Sequence, residues 1–247
     1  MDIPAIAAGL VLAGVHVVTP GLRFLKGVPR STWLSVAGGV SVAYVFVHLL
    51  PGLAEGQRQL EEAVPAPAAL AERSVYLVAL AGLAVFHGLE RLAKVSRARA
   101  RGGDRSVDPE AATSAGVFWI HMASFTVYNA LVGYLLLHQE AGTGAGLLLF
   151  VVAMALHFVV TDFGMEEHHQ HRYRRVGRWI MAAAVVAGVA AGAAVAVHEA
   201  AVAALGAFLA GGVILNILKE EVPTERESRF WAFATGIVTY SALLVAA

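Results

Sequence analysis

Eight apolar stretches recur along this chain, each near the roughly 20 residues a helix needs to cross a bilayer core, with short polar connections between them. They fall at about 3–19, 33–54, 74–92, 115–138, 144–166, 178–197, 200–219 and 229–246. This pattern predicts an all-α, polytopic membrane helix bundle with eight transmembrane helices. The spans fill residues 1–247 as one transmembrane domain, so no length remains for a separate soluble domain. The first stretch follows Asp2 without a basic leader or a clear cleavage site, and reads as a retained span rather than a signal peptide. No cysteine is present, which excludes a disulfide framework, a thiolate metal site and a thiol nucleophile.

The basic residues test the span count. Arg23, Lys26 and Arg30 lie in the first connection, and Arg91, Lys94, Arg97, Arg99, Arg101 and Arg105 in the third. The fifth holds Arg172, Arg174, Arg175 and Arg178, and the seventh Lys219, Arg226 and Arg229. Only Arg58 and Arg73 fall in even connections, so 16 of the 18 Lys and Arg residues share one side. By the positive-inside rule that side is the cytoplasm, which predicts both termini outside. A wrong span count would have scrambled this alternation.

The connections carry further signals. Residues 55–74 (EGQRQLEEAVPAPAALAERS) are acidic and proline-bearing, and read as an outer loop with room for a short interfacial helix. Residues 93–114 form the longest basic, glycine-broken stretch and read as a cytoplasmic loop whose arginines anchor the topology. The sixth span, MAAAVVAGVAAGAAVAV, is crowded with small residues that permit close helix contact. Zero net charge by itself says nothing about nucleic acid, since the distribution of charge is the informative quantity, and no nucleic-acid partner is expected.

Ionisable groups in hydrocarbon are costly, so each one within a span is a candidate for function. These are His16, His48, His87 with Glu90, His121, His157 and Asp162, joined by the uncharged Asn129 and Asn216. At about 100° per residue, His157, Thr161, Gly164, His168 and His171 share one arc of the fifth span. Asp162, Glu166 and His169 form a second stripe. Imidazole and carboxylate at these spacings suit zinc, iron or manganese. Residues 166–171 equally fit a solvated helix end, and Asp162 a carboxylate paired with a basic residue.

Asn129 lies at nearly the depth of His157. The short connection QEAGTGAG makes the fourth and fifth spans expected antiparallel neighbours, with these two polar groups facing at the midplane. Lone histidines such as His16 and His121 fit a hydrogen-bonded packing role better than ligation. His87 and Glu90 fit either a shared ion or a tie to Arg91. His48 sits near the outer end of the second span, where Pro51 and Gly52 are expected to close the helix.

GGVSVAYVFVHLLPGLAE (38–55) resembles the second helix of the ZIP family of zinc and iron transporters, where an Ala/Gly-rich run ends in His-Leu-Leu-Pro. GAFLAGGVILNILKEEVP (206–223) is similar to that family's seventh helix. In that family the metal site lies on the fourth and fifth helices, in His-Asn-x-Pro-acid-Gly and His-acid-x-Pro-x-acid motifs. On TVYNALVGY the resemblance matches Asn129 and Gly133, but Tyr128 stands at the His position and Val132 at that of the acid. On LHFVVTDFG it matches His157, while Phe158 and Val160 replace an acid and the proline, Thr161 takes a ligand position and Asp162 follows it. The carboxylate that would bridge two ions is missing.

The resemblance implies a carrier moving a divalent metal, zinc foremost, toward the cytoplasm. Asn129 and His157 would form the midplane site, with further ligands from Asp162, Thr161, Tyr128 or another helix, Asp162 the inner exit, and His168, His169 and His171 a cytoplasmic trap. It implies no enzyme and no tightly bound cofactor, a plasma or inner membrane location, lipid and the metal ion as partners, and is compatible with a homodimer. The alternative is a transport-inactive protein of the same shape, serving as metal sensor, scaffold or partner subunit. An intramembrane zinc hydrolase is disfavoured, since no His-Glu-x-x-His or paired-carboxylate motif occurs and Ser124 lacks an evident base.

Overall fold

A computed structural model describes residues 3–22, 32–63, 67–101, 109–138, 144–221 and 229–246, and every regular element among them is a helix. The elements are α1 (Ile3–Val18), α2 (Thr32–Tyr44), α3 (Leu50–Ala63), α4 (Ala68–Ala71), α5 (Ser74–Arg101), α6 (Pro109–Leu135), α7 (Ala145–Arg172), α8 (Arg178–Ala194), α9 (Glu199–Asn216) and α10 (Phe230–Ala246). Five helical stretches are long and apolar enough to cross a membrane: Ile3–Gly21, Thr32–Glu62, Ala145–Glu166, Tyr173–Ala194 and Glu199–Lys219. Shorter apolar stretches cover Ser74–Leu89 and Phe230–Ala246. Large apolar side chains such as Ile3, Trp33, Leu148, Trp231 and Val245 stand exposed on the periphery. Helices apolar on both the buried and the outward face suit lipid rather than water. The chain is an integral membrane protein.

Three boundaries differ from the sequence reading. Pro51 and Gly52 do not close the second span: one π turn at Val45–Leu49 leads directly into α3, which continues to Ala63. A proline ring clashes with the carbonyl four residues earlier, here Val47, and the wider π turn at that point relieves the clash. Likewise α5 runs on to Arg101, into the stretch read as a loop, because its Ala, Lys and Arg residues are good helix formers. α6 begins at Pro109, also inside that stretch, and residues 102–108 between the two helices lie outside the described residues.

Three helix pairs are locked by glycines that meet the partner's backbone. A Cβ at Gly39 of α2 would collide with the Phe233 carbonyl, and one at Gly236 of α10 with the Val36 carbonyl. Gly82 of α5 and Gly211 of α9 stand in the same reciprocal relation through the Phe208 and Ala79 carbonyls. Gly133 of α6 and Gly188 of α8 do so through the Val185 and Ala130 carbonyls. Between lipid-bathed helices, where water drives no association, such close approach supplies dispersion and Cα–H···O contacts. The small residues of the sixth span thus find their use at Gly188. This packing brings α8 against both α6 and α1, and α7 against α1 and α2, which carries polar groups from α1, α6, α7 and the π turn at Tyr173–Gly177 to one point.

Candidate functional site

His16, near the C-terminal end of α1, is that point. His16 and Asp162 are 0% exposed, and Asn129 and His157 are 1% exposed. His16 Nδ1 lies 2.8 Å from Asp162 Oδ1 and 3.0 Å from Oδ2. Its Nε2 lies 2.8 Å from Asn129 Oδ1, and its ring stacks on Phe158 with centroids 4.5 Å apart. The Tyr173 hydroxyl donates to Asp162 Oδ1. A straight helix would set residues 162 and 173 about 16 Å apart, beyond the reach of both side chains, so the chain bends between them.

The hydrogen positions follow from the acceptors. Asn129 Nδ2 donates to the Phe125 carbonyl at 2.8 Å, and a carbonyl can only accept, so the amide is oriented with Oδ1 toward His16. Met181 Sδ, 3.5 Å away, takes the remaining amide hydrogen. Nε2 of His16 therefore carries a proton that it donates to Asn129. Nδ1 faces a carboxyl group, and two bare acceptors cannot sit at 2.8 Å, so one further proton lies between Nδ1 and Asp162. Whether drawn as imidazolium and carboxylate or as imidazole and carboxylic acid, the buried pair holds one shared proton. In a low-dielectric interior the uncompensated charge of either alone would be strongly unfavourable.

The other residues singled out from sequence divide around this centre. Asn129 and Asp162 are brought together, but through His16 on a third helix. His157 does sit at the depth of the Asn129 region, where its Nε2 and the Tyr128 hydroxyl share a hydrogen bond of 3.0 Å. Asn129, one residue on and about 100° around α6, turns instead to His16. The expected facing of Asn129 and His157 is thus replaced by a Tyr128–His157 contact. α6 packs its backbone on α8 and α5 rather than closely on α7. A short connection limits how far apart two helix ends can lie but does not choose their neighbours.

Thr161 Oγ1 accepts from Asn216 Nδ2 at 3.0 Å, which ties α7 to α9. Glu166 is buried and forms an ion pair with the half-exposed Arg174, which donates through Nε at 2.7 Å and through Nη2. The side chains of His168, His169 and His171, like that of Glu90, lie outside the described residues. His48 and His87 are exposed and His121 is half-buried. Among the described residues, no three or more His, Asp or Glu side chains converge closely enough to hold one ion together.

Sequence reasoning gave His16 a hydrogen-bonded role without naming its partners, and passed over Tyr173. One signal was available. A carboxylate inside an apolar span needs a donor of its own, and the histidines of the other spans were the few candidates. No protein-family model matches this sequence, and no curated protein is significantly similar to it.

Proposed function

We propose that the chain is an eight-span membrane carrier, with both termini outside, that moves a divalent metal cation toward the cytoplasm. The cation enters the His16–Asp162 pair in place of its shared proton. The observation that supports this reading is the fully buried imidazole and carboxylate held 2.8 Å apart by one proton, within helices apolar enough to span a bilayer. Once the proton leaves, Nδ1 and the carboxylate oxygens form a pair of donors suited to zinc. Cation binding to such groups releases protons by necessity. Two protein ligands with water make a weak site, which suits an ion that must also depart. Glu166 and Arg174, one turn nearer the arginine-rich end, would lie on the exit side.

The test is zinc uptake into proteoliposomes. Wild-type protein is expected to take up zinc, and Asp162→Asn or His16→Leu to abolish uptake while leaving the protein folded. Equal uptake by all three proteins would remove the pair from the mechanism.

A second reading has its own observation: each polar group of the network already has a protein partner, as a structural pin would require. In that case the chain is a transport-inactive scaffold or sensor. Wild-type vesicles would then take up no zinc, although the same substitutions would still cost stability.

A further inference from the structure

At the opposite end of the bundle from the arginine-rich connections, a cavity of about 260 Å³ opens between the π turn after α2, α3, α5, α6 and α9. Buried Tyr44 and Leu135 belong to its wall, and neither His16 nor Asp162 lines it. Most of its wall is aliphatic, and its polar groups come chiefly from His48, Glu55, Gln59 and His138. None of these takes part in the network described above.

What these groups offer can be read atom by atom. The His138 ring stacks on Tyr134, with centroids 4.4 Å apart and planes within 9°. Its Nδ1 lies 3.1 Å from the Tyr134 carbonyl, so Nδ1 carries the hydrogen and the Nε2 lone pair of the neutral ring is left to accept. Glu55, ionised, only accepts. Its ion pair with Arg58 is between side chains 55% and 68% exposed, and an exposed pair of this kind is worth little, so the carboxylate remains available. The His48 ring tilts over Tyr44 at 5.1 Å, adding aromatic faces that attract cations. Glu55 is the one carboxylate among the lining residues, and α3 carries two more, Glu61 and Glu62, further along toward its C-terminal end.

Acceptors, aromatic faces and negative potential around an aliphatic cavity select a positively charged donor on a small apolar body. Most of the wall is aliphatic, which suits an organic cation better than a hydrated metal ion. The volume lies below the roughly 300–1,000 Å³ of drug-sized sites, which indicates a metabolite-sized ligand. We propose that this cavity is a binding site for a small organic ammonium ion, distinct from the His16–Asp162 centre.

The experiment is calorimetric titration of the detergent-solubilised full chain with phenethylammonium, its isosteric alcohol and carboxylate analogues, and zinc chloride. The ammonium ion is expected to bind at least tenfold more tightly than the alcohol or the carboxylate. Glu55→Gln, a change at a half-exposed side chain that leaves the packing intact, is expected to weaken it about tenfold, and His138→Leu to weaken it as well. Equal affinity for the alcohol, preference for the carboxylate, or binding of zinc alone with loss in a His48→Ala/His138→Ala double variant would overturn the assignment. Asp162→Asn is expected to leave ammonium binding unchanged. Failure here is thereby distinguished from failure of the carrier reading, which rests on zinc and Asp162.

Discussion

Removing His16 and Asp162 together should cost far less than the sum of removing each alone. His16→Leu leaves the Asp162 carboxyl at 0% exposure with only Tyr173 as donor, and leaves Asn129 Oδ1, 1% exposed, with none. Breaking a buried pair by deleting one partner costs about 3–5 kcal/mol, whereas replacing both by apolar residues of similar size is often close to neutral. Asp162→Leu strands His16 Nδ1 and the Tyr173 hydroxyl, with a cost in the same range. In the double Leu variant no ionisable group of the pair remains. Two neutral groups, Asn129 Oδ1 and the Tyr173 hydroxyl, are then short of a partner at about 1–3 kcal/mol each. The coupling between the two sites should therefore reach the top of the usual range, about 3 kcal/mol. A lower value near 0.6–1.7 kcal/mol would apply if the pair behaved as ordinary interhelical hydrogen bonds in a bilayer. Reversible unfolding in mixed detergent–SDS micelles, followed by circular dichroism, gives the four free energies of the cycle. Strictly additive single and double variants would refute the shared-proton pair.

Other expected outcomes follow from the packing. Gly211→Leu, whose side chain would drive into the Ala79 carbonyl and the Leu83 backbone nitrogen, should prevent α9 from seating on α5 and shift the protein to aggregates in fluorescence-detected size exclusion. Gly88→Ala in α5, where nothing lies within 4 Å, should instead be neutral or stabilising by up to about 1 kcal/mol by the same assay under heating. Gln57 is buried, accepts from Val75 N at 2.9 Å and donates to Glu61 Oε1 at 2.7 Å, so it holds the start of α5 against α3. Gln57→Leu should cost about 1–3 kcal/mol and raise hydrogen exchange at residues 74–77. Tyr173→Phe removes one donor from Asp162 without altering ring packing, and should lower stability by about 1–2 kcal/mol in the micelle assay.

Much of this was legible in the sequence because a membrane imposes simple rules. Apolar length marked the helices, and the cost of polar groups in hydrocarbon reduced the candidate site to a handful of residues, His16, Asn129, His157 and Asp162 among them. The partners were not legible. Helical periodicity says which face of a helix a residue occupies, not which of several helices lies opposite. Asp162 and His16 are 146 residues apart, and their meeting depends on α1, α7 and α8 packing together. The resemblance drew attention to the fourth and fifth spans, whereas the histidine that links Asn129 to Asp162 sits on the first. The π turn before Pro51 was hidden for a similar reason. A proline predicts a broken helix, and only the backbone shows how the chain passed through it.

The shared proton can be counted directly. Zinc chloride added to the detergent-solubilised protein in weakly buffered solution, with a pH-indicating dye and parallel measurement of bound metal, compares wild type with Asp162→Asn. The carrier reading predicts about one proton released for each zinc bound by wild type beyond that seen in Asp162→Asn. Zinc binding with the same proton release in both proteins, or no zinc binding by wild type, would contradict it.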